Sequence, residues 1–512
     1  FTNKPVECKG PDTVTTKEYK YDSDGNLVGW TDKEGTKAVF DVTQISANTT
    51  KYAFGSPAQK YFVEVNHDKN KTAAPRVESV VVKEDASKDV DRPVYLFSVN
   101  YKWNQYGNLA EATTGATTEN YLYQVVKNNR LPYKRTYNSR YLSIIVDSSD
   151  TIDFYDNGLL KQEVVEHKIS GISYPSSFAS TRTFQYDNLR RITKEINTGL
   201  GINRTYSYYP DGRLKQIDDS QNSEVKNFVY DSKGRLVSMG QNTYTYDNFG
   251  NRISKTANGV TKNYTYDVGG RLASCGRVNY YYNADGIRCK KICVSNGIPE
   301  KMYLDGGKII GEDRANCKLR YFYDVTGLKR MRMTNDNGTT DYEYVKDSNG
   351  SIIMLVGVLD GKIACQYEYD ALGNCKIVYQ ENQMGEINPF KWKGFFHDSE
   401  TGFYYANGSY YDPETGLYVD AAPISTVFEN ANSTRHIDRN GTLCYNTLAI
   451  AGSPYTVSTT VEMKEDLNYD PGERWWENAW SQISAWWRNL YGSVSSWWQG
   501  VSNEAKAAIG VG

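Results

Sequence analysis

Along most of the chain, apolar and polar side chains alternate in short bursts, and each burst ends in a cluster of Asp, Asn and Gly. Alternation with period two predicts half-buried strands, and the clusters between them predict tight turns. The bursts share one form. Phe184-Gln-Tyr186, Tyr206-Ser-Tyr208, Phe228-Val-Tyr230, Tyr244-Thr-Tyr246, Tyr264-Thr-Tyr266, Tyr321-Phe-Tyr323 and Tyr367-Glu-Tyr369 each place two aromatic rings on one face of a strand. Asp and Gly follow, then Arg or Asn and an apolar residue, as in Tyr230-Asp231-Ser-Lys-Gly234-Arg235-Leu236. The Asp accepts a hydrogen bond from a turn amide and the Gly supplies a left-handed position. The apolar residue begins the return strand on the buried side, with the Arg free to stack on Tyr.

Tyr280-Tyr-Tyr282 and Tyr342-Glu-Tyr344 read as weaker copies, and Gly250-Asn251-Arg252-Ile253 offers Ile253 as the apolar residue of its unit. The second aromatic recurs every 16 to 25 residues, with one gap of 41. A period near 20 is the mark of a stacked array whose hairpins bury their faces only against neighbours. Residues 1–170 carry looser copies, Tyr19-Lys-Tyr21-Asp22, Tyr101-Lys-Trp103-Asn104 and Phe154-Tyr155-Asp156, with strand-like runs at 60–65 and 79–83. The fold class expected is all-β.

Composition sharpens this. Tyr supplies 43 of 512 residues and Gly 42, which suits pleated surfaces joined by turns. The net charge of −2 argues against a nucleic-acid binder driven by bulk positive charge, so no nucleic acid is expected on the array. No stretch approaches the roughly 18 apolar residues of a membrane-spanning helix. Cys289 and Cys293 share a strand face but sit roughly 13 Å apart there, too far to bridge, and buried free thiols are expected for the eight cysteines. Four scattered His give no zinc spacing, and no metal or cofactor is expected.

The Tyr-Asp units resemble the YD repeats of the RHS family. Residues 388–418 (Asn-Pro-Phe-Lys-Trp-Lys-Gly-Phe-Phe-His-Asp-Ser-Glu-Thr-Gly-Phe-Tyr-Tyr-Ala-Asn-Gly-Ser-Tyr-Tyr-Asp-Pro-Glu-Thr-Gly-Leu-Tyr) resemble its repeat-associated core. The residues that carry this core motif are Gly394, Asp398, Gly402, Tyr404, Tyr405, Tyr410, Tyr411, Asp412, Pro413 and Gly416. The resemblance covers roughly residues 15–425. It implies a β-hairpin array wound into a hollow shell that encloses a C-terminal effector, usually a toxin, with the core segment plugging the shell's end. The implied division is an irregular YD-like region over 1–170, a YD-repeat shell over 171–386, the core over 387–425, a linker over 426–471, and a variable segment from 472 to 512. Read from the residues alone, the two Asp-x-Glu-Thr-Gly copies, 14 residues apart, are tight hairpin turns.

Many bacterial relatives cut themselves just past the core, using two Asp in paired Asp-Pro-x-Gly motifs. Here Ala422 stands before Pro423 where the first Asp belongs, and Ile437-Asp438-Arg439-Asn440-Gly441 loosely keeps the second. An aspartic site needs two carboxylates sharing one proton. Asp420 and Asp438 are thus the residues a self-cleavage would use, and the expectation is a protein that is not an enzyme. Three other candidates read as structure. Asp22-Ser-Asp24-Gly25-Asn26 lacks the twelfth-position Glu of a calcium loop. Glu400 and Glu414 lie in twin turns rather than as a glycosidase pair. His397 beside Asp398 lacks a nucleophile motif.

Seven of ten Trp fall between Trp475 and Trp498, and at about 100° per residue they occupy one arc of about 140°. This predicts a short C-terminal amphipathic α-helical segment after Asp470-Pro471-Gly472. Its polar face holds few Lys or Arg, which favours packing on protein over peripheral membrane contact. The expected function is encapsulation and presentation of the chain's own C-terminal effector in intercellular competition, by a protein secreted from or associated with the surface of a bacterium. The alternative is an adhesion protein binding target-cell surface or cell-wall carbohydrate. Tyr on the outer face would favour adhesion, and Tyr confined to the inner face encapsulation.

Overall fold

A computed structural model describes residues 7–419, apart from 10–14, 35, 56–58, 68–75, 86–92, 127–128, 142–143, 172–176, 284–285, 295–296, 306–307 and 407–408. The Trp-rich stretch, Asp420 and Asp438 lie outside the described residues.

Among the described residues, thirty-three strands join in a single sheet from Glu7–Lys9 to Cys375–Gln380, each antiparallel to the next in sequence. The simple order arises from the turns. In the unit at 228–236, Asp231 Oδ1 accepts from the backbone N–H of Lys233 and of Arg235, both at 2.9 Å, and Oδ2 accepts from Arg235 Nε at 2.8 Å. Asp187 and Asp267 hold Arg191 and Arg271 in the same way. Where Asn replaces Arg, its amide makes the equivalent bond, as in Asn251 to Asp247 and Asn374 to Asp370, each at 2.8 Å. The motif therefore needs a side chain with an N–H at that place, and Arg and Asn both supply one. Gly234 closes its turn at φ 82, and Arg190 occupies the same left-handed position at φ 66 in the first unit.

The same arginines tie each hairpin to the next. Arg191, Arg213, Arg235 and Arg271 lie 4.3, 4.6, 5.3 and 5.0 Å from the ring centres of Tyr208, Tyr230, Tyr246 and Tyr282. From the other side, the hydroxyls of Tyr208, Tyr246 and Tyr282 donate to the carbonyls of Ile192, Leu236 and Leu272 at 2.6, 2.8 and 2.7 Å. The second aromatic of a unit is thus clamped by the unit before it. The first aromatic turns inward: Phe184, Tyr206, Phe228, Tyr244, Tyr264, Tyr280, Tyr321 and Tyr367 are all buried, beside a ladder of Ile192, Leu214, Leu236 and Leu272.

One copy is shifted from the register expected of it. Lys346 pairs with Ile352 as Tyr230 pairs with Leu236, so Tyr344 is the first aromatic of that unit and buried Lys346 replaces the second. Its ammonium still reaches back to the preceding hairpin, but donates to Thr326 O in the turn, at 2.8 Å, rather than to the return strand as a Tyr does. The pattern Tyr-x-Tyr at 342–344 is therefore accidental: Tyr342 lies one turn of the alternation too early.

The sheet coils until distant strands meet face to face. Phe54 packs on Tyr303 at 5.0 Å, and Tyr61 and Phe97 on Phe322 at 5.3 and 5.6 Å. Lys301 reaches Glu34 at 2.7 Å. Further on, Lys329 meets Glu119 at 2.7 Å and Arg204 meets Asp370 at 2.6 Å. Cys275, Cys289, Cys293, Cys317, Cys365 and Cys375 are free thiols, with Cys275, Cys317 and Cys365 buried.

His167 is buried in this wall, stacked on Phe178 at 5.6 Å with Nδ1 2.8 Å from Ser148 Oγ. Burial pushes its pKa down to about 4. Below about pH 6.5 the unfolded chain takes up a proton that the folded chain refuses until about pH 4. The contribution is therefore complete above pH 6.5 and is lost as the pH falls, by up to about 3 kcal/mol. His167→Gln should lack this loss, so that the stability of wild type relative to the variant falls by about that amount from pH 7 to pH 4 in urea titrations. A pH-independent difference would mean that His167 titrates normally.

Candidate functional site

After the last wall strand the chain makes a one-turn helix, Met384–Ile387, and then a separate four-stranded antiparallel sheet: Phe396–Asp398, Phe403–Ala406, Ser409–Asp412 and Leu417–Tyr418. Its two hairpin turns are the Asp-x-Glu-Thr-Gly segments. Gly402 N donates to Asp398 O at 2.8 Å and Gly416 N to Asp412 O at 2.9 Å, with both glycines at positive φ (80 and 72). Glu414 N donates to Asp412 Oδ1 at 3.0 Å.

These turns are keys in two matching sockets. In the wall, Arg252 pairs across from Tyr246 and Arg288 from Tyr282, in the register that Leu236 takes opposite Tyr230. Two arginines therefore stand in the buried apolar ladder, both 0% exposed, and Ile253, the residue expected there, is turned outward at 37%. Arg252 binds Asp412 Oδ2 at 2.6 Å, and Arg288 binds Asp398. Three residues on, Lys255 binds Glu414 and Lys291 binds Glu400 at 2.5 Å. Arg-x-x-Lys in the wall thus meets Asp-x-Glu in the closing sheet, twice. A bulge at Ile253 and another at Cys289 set Lys255 opposite Tyr244 and Lys291 opposite Tyr280, on the same inward face as the two arginines. The ammonium accordingly reaches a carboxylate at the rim of the turn, beyond the one the guanidinium holds in the core.

Burial alone works against the Arg288 charge, but Asp398 more than offsets it, and its pKa stands well above the usual value. The guanidinium also sits 4.9, 4.7 and 5.5 Å from the rings of Phe396, Tyr405 and Tyr410. Tyr405 OH accepts from Arg288 N at 3.0 Å, and Tyr410 OH lies 3.2 Å from Arg288 Nη1 and from Tyr282 OH. Between the sockets, Phe403 stacks on Tyr264 at 5.9 Å.

A third contact uses a repeat turn. Tyr404 OH donates to Gly373 O and Tyr411 OH to Leu372 O, at 2.9 and 2.8 Å, and Asn374 Nδ2 donates to Pro413 O at 2.9 Å. Trp392 lies flat over Gly373, and Gly394 (φ 69) closes the turn behind it. Leu372 is 1% exposed under this cover, whereas the same turn position is 67% exposed at Leu189 and 87% at Phe249. Every residue proposed from sequence for the core motif thus lies in this one small sheet or its approach.

The chemistry of the seam is recognition. Glu400 and Glu414 lie in different sockets, each neutralised by its own Lys. Burial and the nearby Lys391 push the His397 imidazole down to about 3, which makes it a poor base. The Asp22 carboxylate accepts from Asn26 N at 2.7 Å, as a turn cap. Among the described residues, no three His, Cys, Asp or Glu side chains are grouped to hold a metal ion. Arg252, Lys255, Arg288 and Lys291 are not apparent as site residues from the repeat pattern. Their signal is nonetheless present: an Arg where the repeat asks for Leu, with Lys three residues later.

Among known proteins, the chain is similar to the tRNA3(Ser)-specific nuclease WapA of Bacillus spizizenii, 23% identical over 275 residues, which is 50% of this chain and 11% of that protein. It is 24% identical to the tRNA nuclease WapA of Bacillus subtilis over 277 residues, again 50% and 11% of the two chains. The chain spans only about a ninth of the length of these relatives. Among solved structures, TcdB2-TccC3-TEV aligns with 84% of this chain and 26% of its own, at 11% identity and a TM-score of 0.38. The family model described as the teneurin YD-shell matches residues 154–446, more than half of the chain, so this chain belongs to the YD-shell family of RHS repeat proteins.

Proposed function

We propose that the chain is the shell of a toxin-carrying protein, which encloses its own C-terminal segment and presents it in competition between bacterial cells. The reading rests chiefly on Val419. It is buried in the core of the array, its N–H donates to Tyr410 O, and its carbonyl accepts from Arg252 N and Tyr266 OH at 3.0 and 2.9 Å. The polypeptide thus reaches residue 419 pinned to the inner face of the wall, and the segment from residue 420 onward starts from there. The tyrosines point the same way: among the described residues the exposed ones are Tyr95 and Tyr106, while the repeat aromatics face inward or are clamped. That distribution favours encapsulation over carbohydrate adhesion.

In this proposal residues 387–425 close the shell, 426–471 link, and the Trp-rich segment from 472 begins the variable part. The shell itself acts by exclusion, and a nuclease activity such as the WapA names carry would reside in the enclosed segment. Secretion or display at the cell surface is the location this role requires. Limited proteolysis of the full chain tests the reading, with mass spectrometry tracking residues 420–512. Enclosure predicts that this segment survives protease at native pH and is digested once the Arg252 and Arg288 sockets are emptied together. Immediate digestion beside an intact wall would sink the proposal. A native mass short by the residues beyond 440–450 would instead reveal self-cleavage through Asp420 and Asp438.

A further inference from the structure

The line along which the coiled sheet closes on itself holds more acid than base. The turn at 347–351 inserts between three strands of the opposite wall, Ile144–Phe154, Leu160–Ser170 and Ser177–Tyr186. Arg182 binds Asp347 at 2.8 Å and also binds Glu163. Ser348 N donates to Asp150 Oδ2 at 2.8 Å and Ser348 Oγ to Glu163 Oε1 at 2.7 Å. Glu368, from the strand Ile363–Tyr369, faces the same guanidinium. Asp150, Glu163, Asp347 and Glu368 are all buried around Arg182. Arg135, which also faces Asp150, is already bound to Glu119, and Lys393 faces Asp347 from the closing segment.

Four carboxylates cannot all stay ionised around one guanidinium in a buried site. Among the three that meet the turn, the hydrogen bonds show which one yields. Glu163 and Asp347 receive Arg182, Ser348 Oγ and the turn amides of Asn349 and Ser351. Asp150 receives one amide on Oδ2, while its buried Oδ1 has no donor aimed at it. An ionised oxygen in that position would be desolvated with nothing in return, whereas a protonated one has Glu163 beside it as acceptor.

We propose that this closure is held by a proton: Asp150 is a neutral carboxylic acid facing Glu163, and its ionisation drives the turn at 347–351 out of its socket. Burial and the Glu163 charge both raise the Asp150 pKa. The open state sets the sign. With the turn withdrawn, Asp150 meets water and loses its proton above about pH 4. The closed seam keeps the proton, so closure is firmest in acid and weakens as pH rises, by up to tenfold per pH unit until the closed form also ionises. The neighbouring contact reinforces the direction. Glu195, which accepts from Ala371 N at 2.8 Å across the same seam, is pushed up to about 8 by burial and by Asp370, with Arg204 and Tyr206 facing it. The device holds whether or not the interior carries cargo.

Hydrogen exchange of the full chain tests it, reading the peptide that spans residues 347–351 after correction for intrinsic rates. Protection there should fall at least tenfold between pH 6 and pH 8, while peptides from the repeat strand Leu236–Met239 stay protected. In Asp150→Asn, whose amide donates to Glu163 without titrating, protection should change less than threefold. Glu163→Gln should flatten the profile in the same way and serves if the Asn variant misfolds. Constant protection in the wild type, or parallel falls in wild type and variants, overturns the proposal whatever the fate of residues 420–512.

Discussion

Arg288→Ala should loosen the closing sheet by about 3–5 kcal/mol, because it strands the Asp398 carboxylate in a core with Lys291 Nζ, 3.5 Å away, as its one remaining cation among the described residues. The effect should appear as protease release of residues 387–419 while the wall stays folded. Pairing the change with Asp398→Asn should recover part of the loss, since the buried charge is then gone. A double-mutant cycle gives the coupling directly, and the 3–5 kcal/mol range predicts at least 1–2 kcal/mol for this contact. The same cycle between Arg288 and Asp412 is the control: they belong to different sockets, and coupling there should be near zero. A coupling of the two sockets as large as that within one would show that the closing sheet docks as an indivisible block.

Gly373→Ala should cost about 3–5 kcal/mol. A Cβ there would lie 2.6 Å from Trp392 Cδ2, and the residue sits at φ 92. The backbone term is about 1–2 kcal/mol for a left-handed alanine, and the remainder is overpacking against an indole that is itself wedged between Tyr404 and Tyr411. Gly234→Ala isolates the first term. It has φ 82, but its new methyl would meet only the tip of Arg213, 3.5 Å away. Urea denaturation of the two variants should therefore differ by about 2 kcal/mol. Equal costs would mean that Trp392 moves aside freely, and that the repeat turn is no seat for the closing sheet.

Much of the wall is legible in the sequence because its rules are local. Tyr-x-Tyr fixes the face by the period of a strand, and Asp at the turn caps two turn amides with one oxygen and selects Arg or Asn four residues later through a side-chain N–H to the other. The core motif is legible for the same reason, as two turns with Gly at positive φ. Substitution within the pattern is what stays hidden. Ile253 looks like the ladder residue because it is apolar, yet the register of Tyr246 with Arg252 puts a charge on the buried side. Tyr344 looks like a second aromatic until the pairing of Lys346 with Ile352 moves it to first. A buried Arg or Lys is readable as such only once the partner that neutralises it is known, and those partners lie 110 and 160 residues away for Arg288 and Arg252.

The chain alone dictated an antiparallel meander of aromatic hairpins, the inward side of the regular repeat strands, and two twin turns near its end. Steric and hydrogen-bonding rules acting over fewer than ten residues suffice for that. Which strands meet after the sheet has coiled was decided only in three dimensions. The twist accumulated over thirty-three strands sets Arg252 and Arg288 beneath Asp412 and Asp398, and Asp150 against the turn at 347–351. A small change in twist at each strand, invisible in any one hairpin, would have brought different residues face to face.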